Sequence, residues 1–545
     1  MKGMRPNVVS ARGRVPRRGQ GSGGSGASGP LAAALATPET YPDRPASVEV
    51  RETHISWVFL AGERAYKLKK PIVLPFLDYG TAARRRKMCR EEVRLNRRLA
   101  ADVYVGVRGV AERAGGFELT AEDDPRAVDF VVEMRRYDET QTLAARLERG
   151  ELDREHVVAV ARVLARFHAQ ARRVAVGDRA VLAVERRFEE NVHELFGSLE
   201  QRGEIDRVLA LERFAHAFIV AHADTFESRR REGCVREGHG DLRAEHVLLD
   251  GEVRIVDCVE FDPGLRELDV ADDLAFLVLD LAARGGERFG DELVDAYRRA
   301  GGEPGDDALI AFYAAYRALV RSKVALTRAS QHPVTSAEHG HYSAAARDLI
   351  AMAERFAWRA RLPLVIVVCG PPASGKSCLA GALAQASSLP HLSSDLTRKR
   401  LAGITPGQRA PSAVYGADFN RRTYAELARR AAREVAARGG AVVDATFRHR
   451  ADRDAFAEAF GDAAPLLFVE CRAPVRVLAE RAAERDRQPG GVTDASLAVV
   501  LRESSVWDPL DELAPEAHVT VRSDRLVEAQ LADLLAVLDR RLGQL

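Results

Sequence analysis

Short apolar runs broken by polar turns dominate the early part of the chain. HISWVFLAG (54–62) and RAYKLKK (64–70) read as two strands joined by a Gly-containing turn. TAARRRKMCREEVRLNRRLA (81–100) follows as a strongly charged helix with Thr81 at its start. AVDFVVEMRR (127–136) is apolar enough for a buried strand. Helical patterns then cover 139–173, 180–230 and 290–360, with one strand-rich island around 245–262. Residues 37–350 are therefore expected to form a small mixed-sheet lobe followed by a mostly helical one.

The pattern changes after AMAERFAWRARL (351–362), which reads as a linker helix ending at Pro363. Strands are expected at 364–369, 441–447 and 465–471, and helices at 375–387, 415–438, 450–460 and 474–486. Strands alternating with helices imply a parallel sheet covered on both faces, so 363–545 is expected to be an α/β domain. Residues 1–36, with the Arg/Gly/Ser-rich stretch RGRVPRRGQGSGGSGASGP (12–30), read as a disordered arm.

Composition narrows the classes. Hydrophobic residues at 46% and charged residues at 30% are ordinary for a globular protein. A formal charge of +1 provides no global basic field for nucleic acid. The six cysteines form no CxxC pair and no zinc-like spacing, which fits buried thiols in a reducing cytoplasm. No apolar run approaches the length of a membrane span, and the basic N-terminus lacks the apolar stretch of a secretory signal.

One motif carries specific chemistry. Gly370-Pro371-Pro372-Ala373-Ser374-Gly375-Lys376-Ser377 fits GxxxxGK[ST], preceded by an apolar strand and followed by a helical pattern. Backbone N–H groups and the helix N-terminus would face phosphates, Lys376 would reach the β- and γ-phosphates of ATP, and Ser377 would ligate Mg2+. In HLSSDLTRKR (391–400), Asp395 is placed to accept a proton from a substrate hydroxyl, with Arg398 and Lys399 as a basic pair for an acidic or phosphorylated acceptor. The bland alternative for Asp395 is a helix N-cap. Asp444 is placed in the apolar strand AVVDATF (441–447), as a Walker-B-type carboxylate that can orient Mg2+. Arg481 and Arg485, four apart on one helix and followed by Arg487, suit a lid over transferring phosphate; a solvated helix face is the alternative. On these segments 363–545 resembles the small P-loop kinases, the group that includes gluconate kinase, chloramphenicol phosphotransferase, polynucleotide kinase and the zeta-type toxins. No sensor or arginine-finger segment of a ring ATPase is seen.

A second constellation lies upstream. HGDLRAEHVLLDGEVRIVDCVEFD (239–262) places Asp241 in a catalytic-loop setting and Asp257 sixteen residues later at a strand end. Asp241 would orient or deprotonate an acceptor hydroxyl, and Asp257 would bind Mg2+. Lys67 lies in a strand, Glu91 or Glu92 on the next helix could hold it, and VVEMRRY (131–137) falls where a hinge would meet adenine. The region 50–345 resembles aminoglycoside phosphotransferases and the choline- and fructosamine-kinase-like group. The resemblance implies a two-lobed α+β kinase-like domain, with His239 bracing the loop. Two departures stand out: His246 occupies the position of the usual metal-binding Asn, and only Ala61-Gly62-Glu63 stands where a glycine-rich loop would be.

The whole chain resembles a bacterial two-domain group that fuses such a lobe to a P-loop kinase. The expected activity is ATP-dependent phosphoryl transfer to a hydroxyl of a small-molecule acceptor, with ATP and Mg2+ as cofactors. One competing expectation is a regulatory ATPase with a degenerate N-terminal lobe. The other is a nucleic-acid end kinase, disfavoured because the C-terminal unit has few aromatics for a stacking groove.

Overall fold

The computed structural model describes residues 28–74, 77–175, 180–199, 202–408, 410–486 and 507–542. The chain falls into two compact units, one made of residues up to 177 with 229–305, the other of 178–228 with residues from 306 onward. Compactness thus follows a different line from the chain-order division at 350: helices Ala180–Phe196, Arg202–Ala221, Asp307–Ala329 and Ala337–Arg359 group with the C-terminal sheet.

The first unit is built on a six-stranded antiparallel sheet. Its order is Val48–Glu52, Ser56–Ala61, Arg64–Lys69, Ala127–Arg135, Tyr104–Arg113 and Gly116–Thr120. Alternate residues face opposite sides, and both sides are covered. Helix Ala82–Ala100 lays Cys89 and Val93 against Ala65, Phe130 and Val132. It starts at Thr81, whose hydroxyl accepts the Arg84 N–H. On the other face Leu31 and Leu35, from helix Ser28–Leu35, meet Phe59, Tyr66, Leu68 and Val131.

That helix corrects the reading of 1–36 as a disordered arm, since its last quarter is ordered core; residues 1–27 lie outside the described residues. Leu31 and Leu35 stand four apart, one helical turn, so a two-residue apolar face is hidden in an alanine-rich segment.

Helix Val270–Ala283, which no periodicity announced, is buried along nearly its whole length. An apolar helix without a polar face has no amphipathic signal to read. Asp273 and Asp280 stand seven apart on it, two turns along the same face, and both are fully buried.

The second unit carries a five-stranded sheet ordered His391–Ser393, Gly440–Asp444, Leu364–Cys369, Leu466–Arg472 and His518–Arg522, with every neighbouring pair parallel. Val365, Val367 and Cys369 point into one core with Leu427, Phe447 and Phe468. Leu364, Ile366 and Val368 point into the other with Leu379, Leu383 and Leu534. A strand buried on both faces explains the unbroken apolar run LVIVVC. Strand His518–Arg522 and helix Val527–Arg540 complete the sheet and were not anticipated. The expected strand 441–447 stops at Asp444, and the chain then turns out of the sheet. Among the described residues no helix is long and apolar enough to cross a membrane.

Candidate nucleotide sites

The P-loop connects strand Leu364–Cys369 to helix Lys376–Ser387. Its path requires its glycines. Gly370 has φ 144°, and a Cβ there would stand 2.7 Å from the Cys471 carbonyl oxygen. Gly375 has φ 86°, a conformation that side chains resist. The Gly370 N–H donates to the Thr446 carbonyl at 3.3 Å, and the Ser374 N–H donates to the Pro371 carbonyl at 3.1 Å. Pro371, Pro372 and Ala373 form the turn, with Ala373 itself at φ 65°. Lys376 and Ser377 then open the helix, so its N-terminal N–H groups and positive dipole end face whatever the loop encloses.

Asp444 ends the adjacent strand and is almost wholly buried. Lys376 and Ser377 act on its carboxylate, and His391 Nε2 lies 3.7 Å from Oδ2. Burial alone would raise the Asp444 pKa, but His391, Lys376 and Ser377 hold it below the usual value. Its Oδ1 is buried with no hydrogen-bond partner. A lone buried carboxylate oxygen beside the P-loop serine fits a hard divalent cation such as Mg2+.

Asp395 follows strand His391–Ser393 as the second residue of helix Ser394–Leu401. The cap is Ser393, whose hydroxyl accepts the Leu396 N–H, so Asp395 is not the N-cap. Burial pushes the Asp395 pKa up and Asp444 adds to this, against the opposing charges of Lys376, Arg398 and Lys399. Two carboxylates pushed in opposite directions are the pattern of an acid–base division of labour.

The basic pair divides. Lys399 is buried and donates from Nζ to the Pro406 carbonyl at 2.9 Å. Arg398 lies over the Tyr415 ring and donates to Asn420 Oδ1 at 2.6 Å. Arg481, expected on a lid, instead braces the P-loop: it donates to the Ser374 carbonyl at 3.4 Å and to the Ser523 carbonyl at 2.7 Å. Arg485 falls in helix Val475–Asp486, its side chain outside what is described, and Arg487 lies outside the described residues.

The second constellation is assembled in the first unit from four distant segments. Lys67 and Lys69 alternate onto the same side of strand Arg64–Lys69. Lys67 Nζ lies 2.9 Å from Glu92 Oε1 and 2.8 Å from Asp257 Oδ1. Glu92, not Glu91, is therefore the partner; Glu91 pairs with Arg94 and Arg266. Burial opposes the Lys67 charge, but Asp257, Glu92 and Glu260 outweigh it and hold its pKa well above the ordinary lysine value. Behind Lys67, the wholly buried Lys69 lies 2.6 Å from Glu92 Oε2 and also pairs with Glu260. Lys69 and Glu260 escaped the sequence reading. The available signal was a second lysine two residues on, a spacing that puts both on one side of a strand.

Asp257 has φ 65°, a strained conformation for a residue with a side chain. Its N–H donates to the Tyr104 hydroxyl oxygen at 3.2 Å. The HGD loop hangs from helix Val270–Ala283. Asp273 accepts the N–H groups of His239 at 2.6 Å and Gly240 at 2.9 Å, and Asp280 accepts that of Ala244 at 2.9 Å. His239 Nε2 bonds the Val256 carbonyl at 3.0 Å, and burial pushes its pKa down to about 4, so it is a neutral brace. Asp241 is gripped by Arg243, with Nε 3.0 Å from Oδ1 and Nη2 2.9 Å from Oδ2. His246 sits beside this pair, 3.6 Å from Asp257 Oδ2. That oxygen of Asp257 remains for a cation, Oδ1 being engaged by Lys67.

Residues 365–510 match a family model described as an AAA domain. Among solved structures, a gluconokinase from Sinorhizobium meliloti 1021 is similar at 24% identity, covering 34% of this chain and 96% of that one, with a TM-score of 0.26. A choline/ethanolamine kinase family protein from Mesorhizobium loti is similar at 16% identity over 61% of this chain and 99% of that one, with a TM-score of 0.38. The uncharacterized protein Rv2004c of Mycobacterium tuberculosis is 34% identical over 473 residues, 85% of this chain and 91% of its own. The uncharacterized protein Mb2027c of Mycobacterium bovis matches to the same extent. At that identity over 85% of its length, this chain belongs to the family of these two mycobacterial proteins.

Proposed function

We propose that the second unit is a Mg2+-dependent ATP phosphotransferase acting on a hydroxyl of a small-molecule acceptor, and that the first unit holds a separate kinase-like nucleotide site. The observation that carries the reading is the pair of carboxylates beside the P-loop. Asp444, acted on by Ser377 and with a buried lone oxygen, is suited to the metal. Asp395, raised in pKa and not used as a cap, is suited to the acceptor proton. The acceptor O–H gives its proton to the Asp395 carboxylate as the oxygen forms its bond to the γ-phosphorus. The bond from that phosphorus to the β,γ-bridging oxygen breaks, and ADP leaves. Lys376 and the loop N–H groups neutralise the phosphates, and Arg481 fixes the loop that presents them. Ser377 and Asp444 would hold Mg2+, which when bound would supply positive charge to neutralise the transferring phosphate. In the first unit, Lys67 held by Glu92 would pair with the nucleotide phosphates, Asp257 would hold the metal, and Asp241 would face the acceptor.

The test is ADP release by the full-length protein against sugars, amino alcohols and nucleosides. One acceptor class should raise ADP release in the wild type and in Asp241→Asn, but not in Asp395→Asn. Acceptor-stimulated turnover unchanged in Asp395→Asn would defeat the proposal. A second reading, in which the first unit senses ATP without transferring phosphate, is favoured by the grip of Arg243 on Asp241. It requires that no acceptor class give turnover that falls in Asp241→Asn.

A further inference from the structure

We infer that Arg243 supplies, beside Asp241, the positive charge that a second divalent cation would bring, so that the nucleotide site of the first unit works with a single metal, on Asp257. The inference rests on the kinase-like reading of that site.

Three observations lead to it. The first is the chemistry of His246. An arginine can only donate, so the 3.1 Å contact from Arg243 Nη2 makes His246 Nε2 an acceptor. The proton is then on Nδ1, which donates to the Asp241 carbonyl oxygen at 2.9 Å. Both ring nitrogens are engaged and no lone pair is left for a cation. The imidazole at the usual asparagine position is thus a support for the guanidinium, not a metal ligand.

The second is the grip itself. Arg243 reaches both carboxylate oxygens of Asp241 through Nε and Nη2, and it also pairs through Nη1 with Glu245. This planar, multi-donor fit is one that guanidinium makes and ammonium does not.

The third is electrostatic. Arg243 is clamped between the carboxylates of Asp241 and Glu245, so its charge is fixed in the loop. A second dication would have to settle against this fixed guanidinium, whose charge opposes it. His246 at the asparagine position and Arg243 on the aspartate are therefore one device: the histidine holds the arginine, and the arginine replaces a metal.

Metal count reads this directly. Mn2+ bound by the full-length protein with a non-hydrolysable ATP analogue would be counted by electron paramagnetic resonance. The wild type should lose one Mn2+ on Asp257→Ala, and that is the whole complement of the site. Arg243→Ala should weaken analogue binding in the Asp257-dependent class about tenfold, while Arg243→Lys keeps the single-metal count. The double substitution Arg243→Ala with His246→Asn should gain a second Asp257-dependent Mn2+. Two such ions in the wild type would overturn the inference, a count that needs no substitution in the loop. An Arg243→Ala protein with unchanged affinity would overturn it too. If Asp257→Ala removed neither Mn2+ nor nucleotide, the site reading would fall and the inference with it.

Discussion

On the proposed reading, the two candidate sites bind phosphate by opposite means. The P-loop is made of eight consecutive residues and works mainly through backbone, with glycines at 370 and 375 allowing the path and a helix end supplying the field. The site of the first unit is made of side chains from residues 67, 92, 241 and 257, brought together by a sheet, a helix and a hanging loop. A backbone site tolerates change around it and fails at a few positions. A side-chain site is only as good as the supports behind it, and here these are Lys69, Glu260, Asp273, Asp280 and Tyr104. The comparison predicts that distant substitutions harm the first site far more than the second.

The largest expected effect is at Asp395. Asp395→Asn should lower acceptor phosphorylation by roughly 10²–10⁴ without weakening nucleotide binding. The pH profile gives an independent check. A base must be ionised to act, so activity falls as pH drops through its folded pKa. Burial raises that pKa, so the acid limb should lie above the ordinary aspartate range and vanish in the Asn variant. A limb at the ordinary position would show that Asp395 is not the base.

Next comes the separation of the sites. Calorimetry of the full-length protein should resolve two classes of ATP binding. Lys376→Ala should remove the tighter one and Asp257→Ala the weaker, each by about a hundredfold or more. A single class removed by either substitution would mean one shared site and would end the comparison.

Asp273 tests the support argument. Asp273→Ala leaves three donors without their acceptor, those of His239, Gly240 and His168, and should cost roughly 3–5 kcal/mol on denaturation. Burial alone would raise the Asp273 pKa, but His168 and the His239 N–H hold it well below the usual carboxylate range. A depressed folded pKa gives stability that is present above the unfolded value near 4 and is lost as pH falls from there toward the folded value. The wild type should therefore lose stability with acid in that window more steeply than the variant.

The same contrast decides what was legible in the sequence. The P-loop is contiguous, so its pattern and its strand–helix setting could be read together, and Asp444 and Asp395 followed from their strand ends. Lys67, Asp241 and Asp257 were readable because spacing and order survive in sequence. Glu91 and Glu92 were not separable, since neighbours on a helix differ by about 100° and only packing shows which faces the sheet. The supports were invisible for a shared reason: burial is tertiary. Lys69 looks like any charged strand residue, Asp273 sits in a helix with no amphipathic signal, and Arg481 was legible as an arginine for phosphate but not as a brace of the loop. Helix Ser28–Leu35 was lost because composition hid two leucines among alanines. Leu35 is fully buried, so Leu35→Ala should cost about 2–4 kcal/mol in the first unit, and deleting residues 28–36 should cost more. An unchanged denaturation midpoint would restore the reading of that stretch as a passive arm.

The smallest effect is the sharpest probe of the side-chain site. Tyr104 is buried, and its hydroxyl oxygen accepts the N–H of Asp257 at 3.2 Å. Asp257 is held at φ 65°, a left-handed conformation that costs an ordinary residue about 1–2 kcal/mol. Something must compensate, and the Lys67 ion pair and the Tyr104 bond are the contacts placed to do it. Tyr104→Phe keeps the ring and its packing and removes one neutral hydrogen bond, worth about 1 kcal/mol. The Asp257 backbone should then relax part of the time toward an ordinary conformation, carrying its carboxylate away from Lys67. Binding in the Asp257-dependent class should weaken roughly five- to tenfold, with the Lys376-dependent class unchanged and the melting temperature almost so. Equal weakening of both classes would mean that the substitution acts through global stability. No weakening at all would mean that Lys67 alone holds Asp257, and that this site depends on its supports less than its assembly from distant side chains implies.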